Sequence, residues 1–122
     1  MLYDNYKLIR DKIPEIMEKA GKERPQERVL DEASYKELLV KKLHEEVGEL
    51  DEALGTGNLD EIEGELADVF EVLIALSDKY RCRDVIELAQ EKAAHRGGFY
   101  QGYILKVDDI QKWLYTVYIK SN

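Results

Sequence analysis

The chain has 122 residues, of which 44% are apolar and 36% charged, and its formal net charge is −8. That length suits a single domain over residues 1–122 with one core, and the apolar content excludes a disordered chain. An acidic surface repels a phosphate backbone and an anionic bilayer, so neither nucleic acid nor membrane is expected as a partner, whereas a small phosphorylated ligand fits if a cation stands between the charges.

Cys82 is the one cysteine, so no internal disulfide forms, and no partner base marks it as a nucleophile. The absence of a leader-like segment and of an apolar run of membrane length reads as a cytoplasmic protein.

The stretch RDKIPEIMEKAG predicts a short first helix. Pro14 suits its first turn, Glu15 and Lys19 pair at i,i+4, and Gly21 ends it. A polar connection, KERPQERVL, leads into a short strand expected at residues 28–30. A long second helix follows, with Asp31 or Ser34 as N-cap, and runs to about Leu54, where GTGN breaks it. The third helix starts at Asn58 or Asp60 and continues through LADVFEVLIALSDKY; the fourth covers roughly Asp84 to Arg96 and closes at Gly97 and Gly98. YILKV at 103–107 reads as a second short strand, pairing with 28–30, and the tail with Trp113, Tyr115, Val117 and Ile119 is left between strand and other structure, with core packing as its expected role. The fold class is therefore all-α, a bundle of about four helices with a minor β element.

Two of these helices place carboxylates beside apolar stripes. At about 100° per residue, Leu39, Leu43, Val47, Leu50 and Leu54 form one stripe of the second helix. Glu46 falls inside it, Glu49 lies at its edge, and Glu45 and Glu52 stand further round. The third helix is apolar nearly all round from Leu66 to Leu76, which implies burial on most sides, and only Asp68 and Glu71 interrupt it. Glu65 and Asp68 repeat the three-residue spacing of Glu46 and Glu49, so antiparallel packing of the two helices brings the pairs face to face. Two bare carboxylates ~5 Å apart at an effective dielectric of ~20 repel by roughly 3 kcal/mol, so four need a cation. Protons or a lysine can serve; a hard divalent ion with oxygen ligands suits better, and Mg²⁺, or Mn²⁺ in its place, is the expected cofactor. The alternative is a solvated acidic face, since E-x-x-E runs are common on helices. His44 and His95 read as ordinary surface or satisfied histidines.

Basic residues flank this pattern. Lys92 and Arg96 share a face of the fourth helix and precede HRGGFY, where the glycines permit close backbone approach to a ligand and Phe99 or Tyr100 offers a ring to stack on a base. Equally, Gly97 serves as a helix C-cap and Arg96 complements the helix dipole. Lys7, Arg10 and Lys12 lie in YKLIRDKIP.

Together, HEEVGEL, GELADVFEV, YKLIRDKIPEIMEKAG and EKAAHRGGF resemble the signature blocks of the MazG-like all-α nucleoside triphosphate pyrophosphatases, in particular the small phosphoribosyl-ATP pyrophosphohydrolase-like branch. The resemblance runs in order over about residues 6 to 107. It implies a helical bundle completed by dimerisation, as a homodimer or dimer of dimers, and Mg²⁺-dependent cleavage of a nucleotide between its α and β phosphates to a monophosphate and pyrophosphate. Carried over by position, Glu46, Glu49, Glu65 and Asp68 would be metal ligands, and Glu45 or Glu49 would orient or deprotonate the attacking water. Lys92, Arg96, Lys12, Arg10 and Phe99 would meet the substrate. The alanines at 93 and 94 and His95 depart from the usual charge pattern there, and the tail from about Asp108 has no counterpart. Two non-hydrolase readings stand beside this one: an acidic helical interaction module for a basic partner, and a nucleotide-binding sensor without turnover.

Overall fold

The computed structural model describes residues 3–106. By their contacts they belong to two compact units, Met1–Leu88 and Ala89–Asn122.

In the first unit, α1 spans Ile13–Lys19. Pro14 sits where the missing N–H costs nothing, and the helix stops in a left-handed turn at Gly21 (φ 81°), with Lys22 N–H donating to the Met17 carbonyl at 2.9 Å. The next element, α2, spans Glu32–Thr56. Asp31 is its N-cap and accepts from the Ser34 N–H at 2.8 Å, which holds the Asp31 carboxyl below its ordinary range. Gly57 in the left-handed region ends α2, and Asn58 caps α3, Leu59–Lys79, by accepting from the Glu61 N–H at 3.2 Å.

So tight a link folds α3 back along α2. Thr56 Oγ1 donates to Glu61 at 3.1 Å beside the turn, and at the far end Lys79 pairs with Glu32 at 3.3 Å. There the Lys79 ammonium also lies over the Tyr35 ring and that of Lys36 over the Tyr80 ring. Beyond α3 the chain turns through Arg81, a non-glycine residue with φ 54°, and α4 follows at Val85–Arg96. Asp84 caps α4, accepting from the N–H groups of Ile86 and Glu87, and Gly97 (φ 81°) closes it.

The architecture is all-α, four helices among the described residues, as expected. The expected β element is not found. Residues 28–30 and 103–106 have no regular secondary structure, and Val107 lies outside the described residues, as do Trp113, Tyr115, Val117 and Ile119. Leu30, Tyr103 and Ile104 are each almost fully exposed, and a strand without a neighbour to share its ladder has nothing to hold it. None of the described helices is long and apolar enough to cross a membrane.

The seam between α2 and α3 carries the burial. Among the described residues, Leu38, Leu39, Ala53 and Val72 are the buried apolar ones, and Glu46 is buried among them at 6% exposure. This shifts the expected α2 stripe. Leu39, Glu46 and Ala53, seven apart, mark the inward line, whereas Val47 and Leu54 are about half exposed. Burial of α3 on most sides is likewise not reached within the described residues: Leu66, Phe70, Leu73 and Ile74 are 43–51% exposed.

The segment before α1 lies along this pair of helices. Lys41 on α2 donates to the main-chain oxygens of Asp4 at 2.9 Å and Tyr6 at 3.1 Å, and Lys7 reaches Glu45 at 3.4 Å. Lysines thus tie this segment to α2, and Leu8 and Ile9 line one cleft with Leu39 and Val72.

Candidate functional site

One ligand atom from each of Glu46, Glu49 and Glu65 falls within 4.8 Å of the others. The helical repeat explains the meeting. Glu46 and Glu49 are one turn apart on α2, Glu65 lies on α3, and the turn at Gly57 sets the register that brings them level. Asp68 occupies the next turn of the Glu65 row, and the buried Val72 continues it.

Electrostatically the cluster is unsatisfied. The Oε2 atoms of Glu46 and Glu65 are buried and have no hydrogen-bond partner. Buried polar atoms are nearly always paired, so these two are an exception that needs a cause. Burial, then the neighbouring Glu49 carboxylate, push Glu46 above the ordinary glutamate range against the pull of Lys42. Glu65 is raised first by burial and then by the carboxylates of Glu49, Asp68 and Glu46. Acceptors that lack donors and repel one another match the oxygen donor set of a hard divalent cation. The residues present therefore fit such an ion.

The basic groups nearby are arranged around the carboxylates' rims. Lys42 Nζ lies 3.3 Å from Glu46 and 3.4 Å from Glu45. Glu45 is lowered overall: burial raises it, but Lys42 and Lys7 together outweigh that. Arg10 Nη2 donates to Asp68 Oδ1 at 2.6 Å.

These groups open onto a cleft of about 420 Å³. Arg10, Asp11, Lys12, Lys42, Glu46, Asp68 and Glu71 are among its polar lining residues, and Ile9, Leu39, Val72 and Ala75 are among its apolar ones. Of the carboxylates named from the sequence, Glu49 and Glu65 meet Glu46 in the cluster beside this cleft, while Glu46 and Asp68 line the cleft itself together with Arg10 and Lys12. Lys42 and Glu71 were missed as members of it. For Lys42 the signal was available, since it precedes Glu46 by four residues and so shares its face.

Lys92, Arg96 and Phe99 belong to the second unit and are exposed there. Gly97 acts as the helix C-cap; at Gly98 an added Cβ would meet the Tyr100 ring at 2.8 Å, so the close approach the second glycine permits is that of Tyr100 itself.

Comparison with known proteins gives a family model, the MazG nucleotide pyrophosphohydrolase domain, which matches residues 34–97, just over half of the chain, a range that includes the three clustered glutamates and Asp68. No curated protein and no solved structure matches.

Proposed function

Because the chain belongs to the MazG nucleotide pyrophosphohydrolase family, we propose that it is a Mg²⁺-dependent nucleoside triphosphate pyrophosphohydrolase that cuts between the α and β phosphates and yields a monophosphate and pyrophosphate. The observation that carries the reading is Glu46: a carboxylate 6% exposed, its Oε2 unpartnered, converging with Glu49 and Glu65.

In this reading Glu46, Glu49, Glu65 and Asp68 hold the cation, with Mn²⁺ able to replace Mg²⁺. When bound, the ion supplies charge neutralisation for phosphate oxygens and a more acidic water. Every other role belongs to side chains. Lys42, Lys12 and Arg10, lining the cleft, offset the charge of the triphosphate and of the departing pyrophosphate. Glu45 is occupied by Lys7 and Lys42, and it fixes Lys42 against Glu46. That leaves Glu49, exposed at the cluster's edge, to orient or deprotonate the attacking water. Lys92, Arg96 and Phe99 are retained as further substrate contacts on the strength of their place in the sequence.

The half-exposed apolar side chains of α3, with Val47 and Leu54 of α2, support assembly as a homodimer or a dimer of dimers, because a lone chain of this size rarely leaves so much apolar surface uncovered. A cytoplasmic location goes with a nucleotide substrate. The burial of Glu46 weighs against the alternative of an open acidic face for a basic protein partner.

The test is a panel of canonical and altered nucleoside triphosphates together with phosphoribosyl-ATP, assayed with and without Mg²⁺ for pyrophosphate against orthophosphate. Pyrophosphate release that needs the metal is expected; orthophosphate, or release without metal, overturns the reading.

A further inference from the structure

The fourth carboxylate is the one that stands apart. Asp68 is one turn from Glu65, yet the oxygens within 4.8 Å of one another are those of Glu46, Glu49 and Glu65. Asp68 instead accepts a 2.6 Å hydrogen bond from Arg10, a residue 58 positions away in the chain. Resting on the reading above, we propose that Arg10 is a displaceable counter-ion. It occupies Asp68 while the cleft lacks nucleotide and transfers to the nucleotide's phosphates on binding, which releases Asp68 to the cation. Divalent ion and nucleotide then bind cooperatively.

Three observations support the transfer. First, the Arg10 guanidinium 2.6 Å from Asp68 Oδ1 neutralises that carboxylate, so a hard cation approaching the other oxygen, Oδ2, meets a weakened ligand charge and repulsion from the guanidinium. Secondly, Arg10 is free to move without dragging its backbone. Its side chain is 57% exposed, and the segment is tied down elsewhere, by Lys41 at Asp4 and Tyr6 and by Lys7 at Glu45. Thirdly, Arg10 lines both the carboxylate cleft and an adjoining cavity of about 610 Å³ beneath the N-terminal segment, so a change of rotamer keeps the guanidinium beside the ligand space. Its planar fork matches two phosphate oxygens better than it matches the single oxygen it now holds. Linkage makes the effect reciprocal: if nucleotide frees a ligand for the ion, the ion must tighten nucleotide by the same factor.

The experiment measures Mn²⁺ binding to the full chain by the electron paramagnetic resonance signal of the free ion, without nucleotide. Arg10→Gln should bind Mn²⁺ about fivefold more tightly than wild type, the upper range for an exposed ion pair. The gain should vanish in the Asp68→Asn background, and Lys12→Gln, a cleft-lining charge with no ion pair among the described residues, should not reproduce it. Arg10→Lys, which keeps the charge and loses the fork, should fall between, and it serves if the glutamine variant folds poorly. With a triphosphate analogue carrying a methylene between the α and β phosphorus atoms, Mn²⁺ should improve calorimetric analogue affinity by a smaller factor in Arg10→Gln than in wild type. Unchanged or weaker Mn²⁺ binding by Arg10→Gln, or an equal gain in Lys12→Gln or on the Asp68→Asn background, overturns the proposal. Failure of the wild-type chain to bind Mn²⁺ at all overturns the metal reading itself, a distinct result.

Discussion

The two sides of the α2–α3 pair invert the usual arrangement. The inner seam buries a glutamate and gathers two more around it, whereas the outer faces present Leu66, Phe70, Leu73 and Ile74 about half exposed. Leu38, Leu39, Ala53 and Val72 are buried at the same seam, so the carboxylates sit beside the apolar core and not in place of it. The difference teaches that the seam holds both the apolar core and the unpartnered carboxylates, while the outer face carries apolar side chains left half exposed. Under the proposed function the seam carries the chemistry as well as the packing.

The largest effect should come from neutralising the seam. Asp68→Asn and Glu46→Gln are each expected to lower pyrophosphate release by about a hundredfold or more, because each removes a ligand charge with little change of shape. Retention of more than about a tenth of wild-type turnover by Asp68→Asn would remove it from the ligand set. The same substitutions should leave the helical circular dichroism intact, which separates loss of chemistry from loss of fold.

The outer face gives the next largest effect. In an isolated chain, replacing a half-exposed phenylalanine changes stability by only ~0.5 kcal/mol. If that face is an assembly contact, Phe70→Asp should cost about 2 kcal/mol or more and make stability depend on protein concentration. Sedimentation velocity reads the outcome directly: a lower oligomer is expected, and an unchanged sedimentation coefficient would leave the apolar face without its proposed cover.

A smaller effect should appear in the pH dependence of the metal-free protein. Glu46 and Glu65 are both raised above the ordinary glutamate value, Glu46 facing Glu49 and Lys42, Glu65 facing Glu49, Asp68 and Glu46. The folded chain therefore binds protons more tightly than the unfolded chain between that ordinary value and the raised ones. Their stabilisation is fully present below the ordinary range and is lost as pH rises through the raised values. Asp31 and Glu45, both lowered, act in the opposite sense in a separate, lower window, losing their contribution as pH falls through their folded values. Thermal midpoints without metal should thus decline as pH rises out of the mildly acidic range. Glu46→Gln should flatten that decline and raise the metal-free midpoint near neutrality, and so should Mg²⁺ with the wild-type chain. A metal-free midpoint that climbs with pH across this window contradicts the assignment.

How much of this the sequence discloses depends on range. Caps and breaks are local, so Asp31, Asn58, Gly57 and Gly97 mark helix ends almost to the residue. Glu46 is also readable, since a carboxylate flanked by leucines at helical spacing has few explanations. The α2 stripe is shifted by a fraction of a turn because apolar residues at helical spacing define a broad face: Val47 and Leu54 are as apolar as Leu39, and only packing against α3 selects among them. The strands expected at 28–30 and 103–107 are absent from 28–30 and from 103–106, the described part, for a related reason, because β-branched and aromatic residues report what a strand can hold and not whether a neighbour exists. Arg10 meeting Asp68 lay beyond local reasoning altogether, being a contact across 58 positions made by an exposed side chain.

The smallest effect is a contrast between neighbours. Glu49 and Glu52 lie on the same helix, less than one turn apart, and both are exposed. Composition treats them alike. Geometry does not: Glu49 places an oxygen in the cluster with Glu46 and Glu65, whereas Glu52 faces away from it and has no ion pair among the described residues. Glu52→Gln should therefore change stability by less than about 0.5 kcal/mol and leave turnover within about twofold. Glu49→Gln should raise metal-free stability, because it removes a carboxylate that repels Glu46 and Glu65, yet depress turnover strongly. Equal behaviour of the two substitutions would mean that net acidity of the face, and not the position of individual oxygens, governs activity; the distinction between seam and surface would then lose its chemical meaning.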